Sequence, residues 1–481
     1  MRKAISRREF LSTVAITAAG AVLAACGKKA TEATEEAPVV VEAPPTAEPV
    51  SINMWGWTDL VNTELVTKFM EKYPNITVNM SDIGDAVFGD QKFLSAVAAG
   101  TGPDVAIQNR HTFMQFAAKK LYKEVTSLLE TSNMKISDFT PVQIAETSWQ
   151  GKVFGLPMFT DVRYLYWNKK IYSEVGLDPN TPPTTWEELE AFTDKCNIKN
   201  DKGEYDRFGF VPYLFGNSWM WLYGFLNKAP SISDDKRTIL CDDKRWVDAL
   251  DWMVKFYDNY VGTFELANAF SEGISAAGLG DPFGAEKVAM SASGDWQVGD
   301  WLRIPDLDWD CAPMPIPSGG EKSTWSCGWS VVMSPSTKQE AAAWELIKWH
   351  VTPEGFRARA EASLTDTKRV WEREQIEGEP QYWPTQACYL PTLDMLEKEY
   401  VSKLGEREKK AWTLGIDALE NWTHGCGTEM GVAALEYWVE MDNATRSALA
   451  HQVTAAEAMK QCKKKVQEAT DRAFKAIDEA G

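Results

Sequence analysis

The sequence predicts an α/β protein built on a parallel sheet and divided into more than one lobe. Three observations predict it. From Ser51 onward, segments with period-two apolar alternation take turns with segments of helical apolar spacing, the pattern of strands crossed by helices. About 430 residues follow the N-terminal leader and the tether behind it, more than one hydrophobic core usually serves. No stretch of 18 or more apolar residues follows that leader, so no membrane-spanning helix is expected.

The leader itself is informative. The chain opens Met1-Arg2-Lys3, carries Arg7-Arg8 ahead of Phe10-Leu11, and runs apolar from Leu11 to Ala25 before Cys26. A basic start, a short apolar run and a small-residue cleavage site read as an export leader over residues 1–26. The arginine pair looks like a twin-arginine signal. Leu23-Ala24-Ala25-Cys26 looks like a lipobox, which makes Cys26 the expected lipidation site. The apolar run is shorter than the ~20 residues of a spanning helix. Residues 27–50 are rich in Ala, Glu, Pro and Thr and have no aromatic residue, so a disordered tether reaching up to ~70 Å is expected.

The folded part begins with Ser51–Trp55 as a strand, turning at Gly56-Trp57. Leu60–Tyr73 has helical spacing, with Leu60, Leu65, Phe69 and Met70 on one face, and Pro74-Asn75 ends it. Ile76–Val78 alternates as a second strand. Gln91–Ala99 is a helix closing at Gly100, and Asp104–Ile107 is a third strand. Strand, helix, strand, helix, strand implies parallel pairing, and ligands of open parallel sheets sit beyond the strands' carboxyl ends. That puts Trp55, Gly56, Trp57 and Asn109 in the expected binding region. Ala455–Ile477 reads as a long final helix with Ala458, Cys462, Val466, Ala469, Ala473 and Ile477 on one stripe.

Charge excludes partners. The net charge is −19. The leader holds Arg2, Lys3, Arg7 and Arg8 against Glu9, so the remainder stands at −22. Nucleic acid is disfavoured, because its binding rests on neutralising phosphates. Seven cysteines follow Cys26, with no C-x-x-C, and only His424-Gly425-Cys426 sets a His near a Cys. No metal or cofactor is expected. An exported chain permits disulfides. Cys311 and Cys327 flank a Pro/Gly-rich turn where they could pair as a clasp, or they are small buried apolar side chains.

Ordered blocks of the chain resemble family 1 extracellular solute-binding proteins, the sugar receptors of ATP-driven importers, to which maltose-binding protein belongs. The first block is Ala98-Ala99-Gly100-Thr101-Gly102-Pro103-Asp104-Val105. The second runs from Gly151-Lys152 through Gly155-Leu156-Pro157, Asp161, Leu165–Lys169 and Gly176–Pro179 to Pro182–Leu189. The third is Phe283-Gly284, Lys287–Met290 and Gly294-Asp295-Trp296. The fourth is Ala312–Pro315, Gly328-Trp329-Ser330 and Ala342–Trp349. They cover about Ser51 to Phe356. Trp167 stands where the family usually has Tyr, and Thr365–Pro391 and Ser402–Gln452 depart from its pattern.

The resemblance implies a two-lobed, periplasmic-binding-protein-like fold of type II with the ligand cleft between lobes. The expected division is residues 51–160 as the first part of lobe 1 and 161–330 as the first part of lobe 2. Residues 331–370 return to lobe 1, and 371–481 are mainly lobe 2 helices. Crossovers are expected near Pro157–Val162, near Cys327–Val332 and within Phe356–Tyr382. Lobe closure on the ligand is a hinge motion.

Sugar chemistry selects the candidate side chains. A sugar's C–H face packs on indole, a contact worth ~0.5–1.5 kcal/mol beyond burial, and carboxylates accept from hydroxyl pairs. Trp totals 21. Four places interleave Trp with polar groups: Trp55–Asp59, Asp161 with Arg163, Asn217–Trp221, and Gly294-Asp295-Trp296 with Trp329. The candidate ligand-binding residues are therefore Trp55, Trp57, Asn109, Asp161, Trp219, Trp221, Asp295, Trp296 and Trp329. Asp295 alternatively caps the turn that follows it, and Trp219 and Trp221 alternatively share a buried face. Trp186, Trp246, Trp252, Trp344 and Trp349 sit at helical spacings and read as core.

The expected function is a monomeric, lipid-anchored extracytoplasmic receptor, on the periplasmic side or cell surface, for a carbohydrate. An oligosaccharide is the expected form, delivered to an ABC-type permease. No catalysis is expected. The alternatives are a receptor for another solute, such as a glycerol phosphoester or a polyamine, and a secreted glycoside hydrolase with paired carboxylates.

Overall fold

In the computed structural model, residues 48–82, 91–213 and 219–480 are described. The export leader, Cys26, the tether up to residue 47, and Asn217 and Ser218 lie outside the described residues.

The opening alternation folds as predicted. Strand β1 (Val50–Gly56), helix α1 (Leu60–Lys72), strand β2 (Ile76–Asp82), helix α2 (Gln91–Ala98) and strand β3 (Val105–Asn109) follow in order. β1 pairs parallel with β2 and with β3. Asp59 starts α1 by accepting from the Asn62 N–H at 3.0 Å, so this carboxylate is a helix cap. Leu65 and Phe69 are buried, whereas Leu60 is 40% exposed: it occupies the first helical turn, ahead of the sheet contact. Gly100, at φ +71, closes α2 in the left-handed region that favours glycine, its N–H bonding back to the Val97 carbonyl at 3.0 Å.

Two long strands carry the architecture. β4 (Gly155–Asn168) has 14 residues, about 46 Å of chain. Downstream come β5 (Met290–Gly294), β6 (Trp309–Ala312) and β7 (Thr324–Met333), then the short β8 (Gln386–Ala387) and β9 (Thr423–Gly425). The described sheet has nine strands along the path β6-β4-β7-β3-β1-β2, with β5 and β8 also on β4 and β9 on β7. β4 therefore belongs to two neighbourhoods. Its first half lies against β7, antiparallel from Gly155↔Val332 to Val162↔Ser326. Its second half pairs with β5 and β6.

Each half serves its own core. Near the first half, Ile52, Met54, Val105, Ile107, Leu156, Val331 and Met333 pack with helix α6 (Glu340–Trp349). In the second half alternation divides the side chains. Even-numbered Val162, Tyr164 and Tyr166 enter a cluster with Trp301, Trp309 and Trp412. Odd-numbered Leu165 and Trp167 enter another with helices α3 (Met220–Leu226), α4 (Lys244–Phe256), α5 (Phe264–Ala276), α9 (Ala434–Leu449) and α10 (Ala455–Ala480). A strand covered on both faces reads as a nearly continuous apolar run, which is how Gly155–Asn168 reads. The α10 stripe is buried at Ala458, Cys462, Val466 and Ala469. Trp186, Trp246, Trp344 and Trp349 are core as expected, while Trp252 is half-buried, stacked 4.0 Å from Trp186.

Residues 356–382, where a third crossing was expected, are mostly helix α7 (Pro353–Glu374), which packs on α1. The third strand at the crossing is β8, through Gln386↔Thr160 and Ala387↔Phe159. Thr352 and Pro353 start α7 in the manner favoured at helix N-termini, and nothing in the apolar pattern stops it before Glu374. Between α7 and α10 lies α8 (Glu406–Asn421). No described helix is long and apolar enough to cross a membrane.

Candidate ligand-binding site

Strand alternation builds the site. In β4, Phe159, Asp161 and Arg163 share one face; in β7, Trp325, Cys327 and Trp329 do. Register sets them side by side, with Trp329↔Phe159 and Cys327↔Asp161. β3 adds Asn109 opposite Trp329, and β5 sets Gly294 opposite Arg163. A row of aromatic and charged side chains thus crosses the junction between the two halves of the sheet.

At one end, Trp57 stacks on Phe159 (6.4 Å between ring centres) and meets Trp329 edge-on at 4.7 Å. All three rings are half-buried. At the other end, the Arg163 guanidinium lies 4.1 Å over Trp325 and 5.1 Å over Trp296, and it is ion-paired with Asp161. The Asp161 side chain keeps 20% of its exposure and Arg163 only 5%. Asp161 is therefore the member of the pair that faces solvent. Trp438 continues the aromatic row, edge-on to His111 at 4.4 Å and to Trp219 at 4.7 Å.

Trp296 follows β5 at the start of the short helix Trp296–Trp301. Its ring lies flat over Gly294, where a Cβ would meet it at 1.7 Å, so only glycine permits this seat. Asp295 is buried, and neither carboxylate oxygen reaches a hydrogen-bond partner at normal geometry. It does not cap the helix, which removes the alternative role the sequence left open. Burial, with Asp161 beside it, pushes this carboxyl well above its ordinary 3.8, and Arg163 pulls the other way. A carboxyl that keeps its proton only when folded makes the folded chain bind more protons. Stability then falls as pH rises above that ordinary value, by up to about 1.4 kcal/mol per pH unit. Asp295→Asn is expected to remove this slope and to gain on the unsubstituted protein as pH rises above that ordinary value. Parallel stability–pH curves for the two would contradict it.

Behind the row lies a buried polar hub. Arg110 and Glu146 are fully buried and paired at 2.8 Å. Arg110 also donates to the carbonyls of Phe159 (2.8 Å), Trp329 (3.0 Å) and Cys327 (2.5 Å). Burial works against the Arg110 charge, but Glu146, with Cys388, Cys327 and Cys426 adding to it, raises the guanidinium above its ordinary value and keeps it protonated. Next to the hub, His111 Nδ1 lies 3.1 Å from Cys327 Sγ, and Cys327 Sγ lies 2.7 Å from Cys426 Sγ. Among the described residues these three form the one group of His, Cys or acidic side chains close enough to consider for a metal ion. Burial first, then Arg163 and Arg110, keep His111 neutral.

The structure brings together Trp57, Asp161, Asp295, Trp296 and Trp329, with Trp219 reached through Trp438. It sets three other candidates aside. Trp221 is 3% exposed, edge-on to Tyr437 and Trp246: α3 begins at Met220 and turns this ring into the core, so its expected ligand contact is corrected. Trp55 packs against Phe93 under the Lys92 ammonium, in a different cluster from Trp57, because successive odd positions diverge once β1 ends at Gly56. Asn109 keeps its place opposite Trp329, but it is 8% exposed and spends its side-chain oxygen on the His111 N–H at 2.9 Å, capping a turn, so it is withdrawn from a ligand by burial rather than by distance. The clasp between Cys311 and Cys327 is not formed: Cys311 is buried in the cluster of Trp301 and Trp309, and Cys327 faces Cys426. Alternation along β4 and β7 could have revealed Phe159 and Trp325. Nothing local marked Trp438 or His111.

Comparison with known proteins agrees with this architecture. A mannotriose-bound solved structure, CpMnBP1, superposes with a TM-score of 0.67 at 22% identity, covering 87% of this chain and 100% of that one; the two share the two-lobed fold. A Brucella abortus protein named as a binding protein is 24% identical over 297 residues, 59% of this chain and 66% of its own length. The maltotriose-binding protein of Pyrococcus abyssi is 21% identical over 300 residues, 60% of this chain and 58% of its own. The chain thus spans just under two thirds of the curated relatives it matches. The model of the family described as bacterial extracellular solute-binding protein matches residues 64–369. That match, over more than half of the chain, makes this chain a member of the bacterial extracellular solute-binding protein family, a family of binding proteins rather than enzymes.

Proposed function

We propose that the chain is a lipid-anchored extracytoplasmic receptor that closes two lobes on a carbohydrate, an oligosaccharide by preference, and delivers it to an ABC-type permease. One observation carries the reading: half-buried Trp57, Phe159, Trp329 and Trp296 alternate with Asp161, Arg163 and Asp295 along one row. Rings offer flat apolar faces to sugar C–H surfaces, and the charged Asp161 and Arg163 between them offer acceptors and donors to hydroxyls. The names of the relatives, maltotriose-binding and mannotriose-bound, support a ligand of several sugar units. The ligand contacts are Trp57, Asp161, Trp219, Asp295, Trp296 and Trp329. Residues 51–160 with 331–370 form one lobe, and 161–330 with 371–481 the other. Strands β4 and β7 form the hinge, and Cys26 carries the lipid. Closure shifts the population toward a form the permease recognises. Arg163, the cation between the rings, is already paired with Asp161, which argues against a phosphoester ligand at that position.

The test is intrinsic Trp fluorescence of Glu48–Gly481, which forms one compact unit, titrated with mannose and maltose oligosaccharides of increasing length. Saturable quenching in the micromolar range without product is expected. A silent sugar panel would move the ligand to another solute class, and product formation would overturn the receptor reading.

A further inference from the structure

We propose that Cys327 and Cys426 join in a disulfide, which staples the strand crossing between the lobes to the C-terminal helices. Strand register is the first ground. β7 and β9 pair parallel at Thr324↔Thr423, Trp325↔His424 and Ser326↔Gly425. Cys327 and Cys426 each follow directly on the last of these pairs, Cys426 as the first residue of the short helix Cys426–Met430. Paired strands stand about 4.8 Å apart, inside the Cα separation of about 4.4–6.8 Å that a disulfide requires.

The sulfur positions are the second ground. The two Sγ atoms are 2.7 Å apart, well inside the roughly 3.5–4.0 Å at which unbonded heavy atoms rest. Cys241 and Cys462, at 3.6 Å, show ordinary contact by comparison. A metal does not suit this geometry. Two thiolates on one tetrahedral zinc, at about 2.3 Å each, stand about 3.7 Å apart, and the buried cation Arg110 bonds the Cys327 carbonyl.

The chemistry is thiol–disulfide exchange with an external disulfide, a protein or a small molecule. Both protein S–H bonds and the oxidant's S–S bond break. One S–S bond forms in the protein, and two electrons and two protons leave as two thiols on the oxidant. Both thiols are buried, so exchange proceeds while the short helix Cys426–Met430 is undocked. An extracellular family works where such oxidants persist. The bond closes a loop of 99 residues, a long span for the chain-entropy effect, and it fixes the strand position opposite Asp161.

The test is peptide mapping of the full-length chain, purified reduced and equilibrated with a mixture of oxidised and reduced glutathione. Remaining thiols are alkylated under denaturing conditions. The peptides holding Cys327 and Cys426 are expected as one linked species, with alkylation of both falling at least tenfold. A reducing agent is expected to lower the Tm of the oxidised protein by about 5 °C, and that shift is expected to vanish in Cys426→Ser. Recovery of both cysteines singly alkylated, as glutathione adducts, or linked to other cysteines would overturn the proposal. The map is read on the unsubstituted chain, so it stands even where Cys426→Ser fails to fold.

Discussion

Glu146→Ala is expected to lower the unfolding free energy by about 3–5 kcal/mol, the usual cost of leaving a buried charge without its partner. The size follows from the surroundings of Arg110. Its side chain has no exposure, so water cannot replace the lost carboxylate, and its arginine pKa keeps it charged. Glu146 also accepts from the Gly427 N–H at 2.9 Å, which would lose its partner too. The remaining bonds from Arg110 go to three carbonyls of β4 and β7. The strands come close here because Gly328, at φ +140, has no side chain: a Cβ would meet the Phe159 carbonyl oxygen at 2.4 Å and the guanidinium at 2.8 Å. The loss should therefore fall on the lobe crossing itself. A urea titration should show a lower midpoint at unchanged slope. A loss under about 1 kcal/mol would mean that Arg110 is satisfied by the carbonyls alone.

Trp296→Ala is expected to weaken ligand binding by about 10- to 100-fold, or about 1.4–2.8 kcal/mol. The stability of the empty protein should change by less than about 1 kcal/mol. The ring is half-buried, held between Gly294 below and Arg163 above, so one edge remains for a ligand. Trp221→Ala is the matched control. The same side chain there is packed among Trp246, Tyr437 and Phe225, and its removal should cost about 3–5 kcal/mol of stability. The measurement pairs the fluorescence titration with thermal unfolding for each variant. A large stability loss with unchanged affinity in Trp296→Ala would make that ring structural.

Trp219 and Trp221 show where reading a sequence succeeds and where it ends. Both lie in one short segment and look equivalent as residues. Only the start of α3 at Met220 separates them, leaving Trp219 beside Trp438 and turning Trp221 inward. Cysteine pairing behaves alike. Cys311 and Cys327 are near in sequence, yet Cys327 meets Cys426, because β9 adds to β7 in register from a distant part of the chain. Asp59 and Asn109 carried suitable polar groups for a ligand and are occupied by helix and turn caps.

The sequence by itself determined the strand and helix order through β3, the parallel pairing of β1 with β2 and β3, the buried tryptophans of α4 and α6, and the family. These rest on short-range periodicity and ordered local blocks, which survive without knowledge of distant contacts. The tertiary structure alone decided which rings stand in one row, that Arg110 and Glu146 form a sealed pair, and that Trp438 and His111 reach the same row. Alternation says which residues of a strand share a face, but which face is buried depends on the register with partner strands far along the chain. Those partners join β4 and β7 only in the folded protein, and the proposed site lies where they cross.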